Sequence, residues 1–182
     1  MKKASFLIFV FLFAALVLTS CRTATPADDN NPKVVYEAVF VNDDQVAAFF
    51  KEVRGEAPYP NVKTEFHVTT AFMPEEDARE LYGTEITVLI TGYVSGETTM
   101  DDGRTTSNEG FMVDLLSADP DMMEYLNGSD NFFHITGSYI DAPKYTGQLD
   151  FSAAQPVYFV TTGLFGAYLT DSTVTFSPDP LR

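Results

Sequence analysis

Phe66-His67-Val68-Thr69 and Phe133-His134-Ile135-Thr136 repeat one pattern, and they hold the only two histidines of the 182-residue chain. Each lies in a run whose apolar residues recur at period 2, Glu65 to Met73 and Phe132 to Ile140, which predicts a β-strand. Side chains at i and i+2 of a strand share a face. His67, Thr69 and Ala71 are therefore expected on one face, with Phe66, Val68 and Phe72 packing into a core from the other. In the second run His134, Thr136 and Ser138 share a face, and Phe133, Ile135 and Tyr139 take the opposite one. Each strand then offers an imidazole and a hydroxyl about 7 Å apart, with small residues just beyond them where a ligand has room.

Outward from the first motif, Lys33 to Val41 reads as a strand. Asn42 or Asp43 caps a helix whose apolar residues Val46, Phe49, Phe50 and Val53 fall at helical spacing before Gly55. A proline-containing loop, Glu56 to Asn61, leads into the motif. Pro74 to Leu81 is expected to be a short helix closed by Gly83, and Thr84 to Val94 a β-branched strand. A turn at Asp101-Asp102-Gly103 returns the chain as a strand from Gly110 to Leu116. Asp119-Pro120 opens a second helix that ends near Asn127-Gly128, and the second motif strand follows. Pro156 to Thr162 and Leu164 to Phe176 are expected as a closing strand pair turned at Gly163. Strand, helix and His-x-Thr strand thus occur twice in order. This predicts an α+β fold, duplicated and two-lobed, with antiparallel sheets forming a central cleft and short flanking helices.

The paired His-x-Thr strands resemble the two signature motifs of the 2H phosphoesterase superfamily, which includes the RNA ligase-like cyclic phosphodiesterases. Thr70 and Gly137 stand where that family commonly has a second hydrophobic residue. The resemblance implies a metal-independent hydrolysis of small 2′,3′-cyclic nucleotides or related phosphodiesters, with no cofactor. In it His67 and His134 are the catalytic acid and base, and Thr69 and Thr136 bind the phosphate. Imidazole suits both roles, because an ordinary pKa of about 6.5 lets one ring be neutral while the other is protonated.

The start of the chain reads as an address. Lys2 and Lys3 precede an uninterrupted apolar run from Phe6 to Leu18, of signal-peptide length. Leu18-Thr19-Ser20-Cys21 resembles a bacterial lipobox. The expected organisation is a lipoprotein signal peptide over residues 1–20, a tether over 21–32 lipidated at Cys21, and one domain over 33–182. The protein is then extracytoplasmic and held to a bacterial membrane by its lipid. Cys21 is the only cysteine, so neither a disulfide framework nor a thiolate metal cluster is available.

The formal net charge is −15, and loss of Lys2 and Lys3 with the leader makes it more negative still. Affinity for long nucleic acid comes largely from neutralising phosphates with Lys and Arg, so no long DNA or RNA partner is expected. A single phosphate held by local donors remains open, with Lys63, Arg104 and Lys144 the cations nearest the motifs. Tyr59, Tyr93, Tyr139 and Tyr145 offer rings for stacking, or are ordinary sheet residues. No His-Glu-x-x-His, EF-hand spacing or Gly-x-Ser-x-Gly is present. The rival reading is a non-catalytic cell-envelope lipoprotein that binds a small ligand or a protein partner in the same cleft.

Overall fold

The computed structural model describes residues 31–179, so the leader, Cys21 and the tether up to residue 30 lie outside the described residues. Among the described residues no helix is long and apolar enough to cross a membrane. The chain forms β1 (Val34–Val41), α1 (Asp43–Arg54), β2 (Asn61–Val62), β3 (His67–Phe72), β4 (Glu85–Thr99), β5 (Thr105–Leu116), α2 (Pro120–Gly128), β6 (His134–Tyr139), β7 (Gln155–Leu169) and β8 (Val174–Thr175). Among the described residues there are also three 3₁₀ turns, Arg79–Leu81, Pro143–Gln148 and Phe151–Ala153. The fold is α+β.

One eight-stranded sheet has the order β2-β6-β5-β4-β7-β1-β3, with β8 beside β7. Every pairing is antiparallel. Exchanging β1, β3 and β4 for β5, β6 and β7 reverses the path from β6 to β3, so the two motif strands take equivalent places at its opposite ends.

The helices start and stop for local reasons. The Asn42 side chain accepts from the amide of Gln45 at 3.0 Å, and Gly55, at φ 73°, ends α1 in a conformation that costs other residues strain. Asp119 caps α2 by accepting from the amides of Asp121 and Met122, with Pro120 at the first helical position. Both helices lie on the core face of the sheet. Phe50 stacks on Phe111 of β5 at 3.9 Å between centroids, and Phe49 stacks on Phe159 of β7 at 4.6 Å. A helix from the first half of the chain therefore packs on strands of the second.

Two buried carboxylates sit at matching places under this sheet. Glu37 on β1 is 1% exposed and accepts from the Ala78 amide at 2.7 Å, the Tyr82 hydroxyl at 2.8 Å and the Tyr125 hydroxyl of α2 at 2.9 Å. Glu109 on β5 is fully buried, accepts from the Tyr93 hydroxyl at 2.8 Å, and pairs with Arg54 Nε of α1 at 2.8 Å. Burial and the neighbouring carboxylates hold the Tyr82, Tyr93 and Tyr125 hydroxyls well above the usual phenol range.

Two expected elements differ. The helix over Pro74 to Leu81 shrinks to the 3₁₀ turn Arg79–Leu81. The Ala78 amide, which a helix begun at Pro74 would keep, is taken by Glu37, and Asp77 pairs with Arg79. The strand pair turned at Gly163 is one continuous strand, Gln155–Leu169, and the chain reverses only after Leu169, near Ser172 at φ 67°. Gly163 is there for space: a Cβ would lie 2.6 Å from the Phe40 carbonyl oxygen and 2.7 Å from Val39. The turn at Asp101-Asp102-Gly103 forms as expected, but β4 and β5 both extend to it, through Thr99 and from Thr105.

Removing one partner of a buried pair strands the other charge, at a cost of about 3 kcal/mol or more. Arg54→Ala should therefore lower the urea unfolding free energy by about 3 kcal/mol. Arg104→Ala, which breaks the exposed pair with Asp102, should change it by less than about 1 kcal/mol. Equal effects would mean that the Arg54 and Glu109 contact does not hold α1 to β5.

Candidate active site

A pocket of about 520 Å³ is lined by all four residues of the sequence motifs, His67, Thr69, His134 and Thr136. Tyr36, Lys63, Glu65, Phe72, Asn131, Phe132, Pro143, Lys144 and Tyr168 complete it. Strands at opposite ends of the sheet path thus contribute to one site.

Each motif strand carries one extra residue directly after its threonine. On β3, Thr69 pairs with Ala38 and Ala71 with Glu37, which leaves Thr70 as a bulge. On β6, Thr136 pairs with Gly110 and Tyr139 with Asn108, so Gly137 and Ser138 share Glu109. A one-residue bulge flips the faces of everything beyond it. Hence Phe72, expected in the core, is 68% exposed and lines the pocket, while Ser138, expected beside His134, is fully buried. Upstream of the bulges the expected faces hold: Phe66, Val68 and Ile135 are buried, and both histidines are half-buried toward the pocket.

The bulges also tie the two strands together. The Thr70 carbonyl accepts from the Ser129 hydroxyl at 3.0 Å and from the Asn131 side chain, both in the segment leading into β6. The Gly137 carbonyl accepts from the Lys63 amide at 2.8 Å, in the segment leading toward β3. Thr70 Oγ1 and the Tyr125 hydroxyl share a further hydrogen bond at 3.0 Å. Gly137 admits no side chain, since a Cβ would lie 2.6 Å from Phe50 and 2.8 Å from Glu109 Oε1.

The two imidazoles differ in their surroundings. His67 stacks on Tyr36 at 4.9 Å between centroids and leans against Phe40 at 5.9 Å. Among the described residues neither of its ring nitrogens has a hydrogen-bond partner. Burial, then Lys63, then His134 push its pKa down to about 4. His134 Nδ1 donates to the Phe132 carbonyl at 2.9 Å, which leaves Nε2 as its titrating nitrogen. Burial lowers the His134 pKa, and the carbonyl opposes that by favouring the imidazolium. The ring of His134 is backed by Gly147, where a Cβ would lie 3.0 Å from Cε1. Among the described residues the hydroxyls of Thr69 and Thr136 have no protein partner, so both are available to a ligand.

Of the cations expected near the motifs, Lys63 and Lys144 reach the pocket, and Arg104 instead pairs with Asp102. Lys144 also pairs with Asp101 at 2.6 Å. The tyrosines singled out in the sequence do not line the pocket. Tyr36 and Tyr168 do, stacked on one another at 5.0 Å, and burial raises the Tyr36 pKa to about 12. Only the register that sets Phe40 opposite His67 and Tyr36 opposite Phe72 puts these rings beside the motifs. Comparison with protein-family models, curated proteins and solved structures gives no match.

The buried histidine leaves a mark on stability. Its folded pKa lies below the unfolded value, so the unfolded chain binds more protons between about pH 4 and 6.5. Stability is therefore fully present above that window and falls as pH drops through it. The loss assignable to His67 is on the order of 2 to 3 kcal/mol. His67→Gln should flatten the fall by that amount in urea titrations at pH 7 and pH 4. An unchanged slope would mean that His67 is not held neutral.

Proposed function

We propose that the chain is a metal-independent phosphodiesterase acting on small 2′,3′-cyclic nucleotides or related phosphodiesters. The observation that carries this reading is the meeting of His67, Thr69, His134 and Thr136 at one pocket. His67, without an acceptor and beside Lys63, suits the base. It takes a proton from water as the water oxygen bonds to phosphorus. His134, whose Nδ1–H rests on a carbonyl, suits the acid, and it delivers the Nε2 proton to the departing ribose oxygen as the P–O bond breaks. The products are a phosphomonoester and a free hydroxyl, and the two rings then exchange protons with solvent. The Thr69 and Thr136 hydroxyls donate to the non-bridging oxygens where charge gathers. Duplication of a β-α-β-β half agrees with the reversible strand order, the matching bulges and the matching Glu37 and Glu109. The placement proposed is extracytoplasmic, with Cys21 as the lipidated residue.

A second reading, a non-catalytic ligand-binding envelope lipoprotein, is favoured by one observation. Both histidines have lowered pKa values, so neither imidazole carries a proton to donate at neutral pH. The same shifts give the enzyme reading a specific pH profile. In kcat/KM the acid limb falls near pH 4 and the alkaline limb below 6.5, so the optimum is acidic.

The purified protein should hydrolyse a 2′,3′-cyclic nucleotide in the presence of EDTA, fastest below pH 6.5. His67→Ala and His134→Ala should each lower kcat/KM at least about a hundredfold. Full activity in both variants, or activity that EDTA abolishes, would rule out the two-histidine scheme. No turnover but saturable binding of the nucleotide would establish the second reading.

A further inference from the structure

The face of the sheet that carries the histidines continues beyond the pocket as an apolar strip. Directly paired residues in an antiparallel sheet share a face. His67 pairs with Phe40, and Phe40 pairs with Leu164 of β7, so these three form one row about 10 Å long, two strand spacings. Val160 lies on the same face of β7 and pairs with Leu89 of β4, while Thr162 pairs with Thr87, whose other partner is Leu116. Tyr158, Val160, Leu164 and Leu116 are 74%, 48%, 41% and 48% exposed. Phe176 packs edge-on against Phe40 at 5.6 Å and keeps the row apolar beside the pocket. A run of open aliphatic and aromatic side chains on a sheet face marks a binding surface.

Charge and continuity select the occupant. Glu85 pairs with Leu164 and Asp114 with Leu89, so carboxylates border the strip on a chain of formal net charge −15. A second copy would bring the same carboxylates face to face, and an anionic bilayer would be repelled as well. An uncharged alkyl chain meets neither obstacle. The strip leads through Phe40 to His67, in a pocket that holds the side chain of Lys63 and the two unpaired threonine hydroxyls. We infer that the pocket takes a phosphate ester bearing an alkyl chain, with the phosphate between the motif strands and the chain laid over Phe40 toward Leu164. This rests on the reading of the pocket as a phosphodiester site, and it selects amphiphilic esters within that class.

Calorimetric titration of the purified protein with methyl phosphate and with octyl phosphate, below micelle-forming concentrations, tests it. A fully buried methylene is worth about fourfold in affinity, and one on an open strip about twofold. Octyl phosphate should thus bind about a hundredfold more tightly than methyl phosphate. In the Leu164→Asp variant that ratio should fall below about tenfold, and in the milder Leu164→Gln it should fall in the same direction. A ratio near one in the unaltered protein, or one that the substitutions leave unchanged, overturns the inference. So does a dimer in light scattering that the substitutions dissociate, because a second copy would then be the occupant. Hydrolysis is scored separately. Turnover of a cyclic nucleotide with a ratio near one refutes the alkyl chain and keeps the diesterase, whereas a ratio near a hundred without turnover does the reverse.

Discussion

Two backbone carbonyls hold this site together. A buried carbonyl must find a donor, and a bulge removes one from the ladder of the sheet. Here the carbonyls of the bulge residues Thr70 and Gly137 are satisfied by the segments that lead into the other motif strand, Ser129 with Asn131 in one direction and Lys63 in the other. Strands that lie at opposite ends of the sheet path are thereby set side by side, and His67 and His134 come to line one pocket. Asn131 and Lys63 line it too, so the residues that close the site also form its wall.

Below the bulges the two buried glutamates do the equivalent work on the core face. Glu37 takes hydroxyls from Tyr82 and from Tyr125 of α2, and Glu109 takes Tyr93 and Arg54 of α1. Each helix is therefore tied to a strand of the half that does not contain it. Burying a carboxylate costs several kcal/mol unless its oxygens are met by donors or a cation. That cost gives the arrangement its specificity: with α1 or α2 misplaced, a carboxylate is left in an apolar core without partners.

The sequence made the motif strands legible because a histidine and a threonine two residues apart must share a face, whatever surrounds them. The helices were legible for the same kind of reason, since Asn42, Gly55, Asp119 and Pro120 act on neighbours in the chain. What escaped were features that depend on partners far away. A bulge at Thr70 shows only against the spacing of Glu37 and Ala38, and it moved Phe72 from the expected core to the pocket. The helix after Pro74 was lost to a buried carboxylate 41 positions upstream of Ala78. Gly163 read as a turn, whereas it makes room for Phe40. One further likeness is Glu37-Ala38-Val39-Phe40 and Glu109-Gly110-Phe111-Met112, which lie 72 positions apart against 67 for the histidines, so that only the pairing of Phe40 with His67 and of Met112 with His134 brings the two repeats into register.

The chemistry proposed depends on the two rings sharing one pocket, with His67 sensing the charge of His134. NMR titration of the ring nitrogens of His67 and His134 measures this directly. The account predicts that both midpoints in the free protein lie below 6.5, His67 near 4, and that His134→Gln raises the His67 midpoint by removing a neighbouring positive charge. Midpoints near 6.5 for both rings, or a His67 midpoint indifferent to the loss of His134, would contradict it.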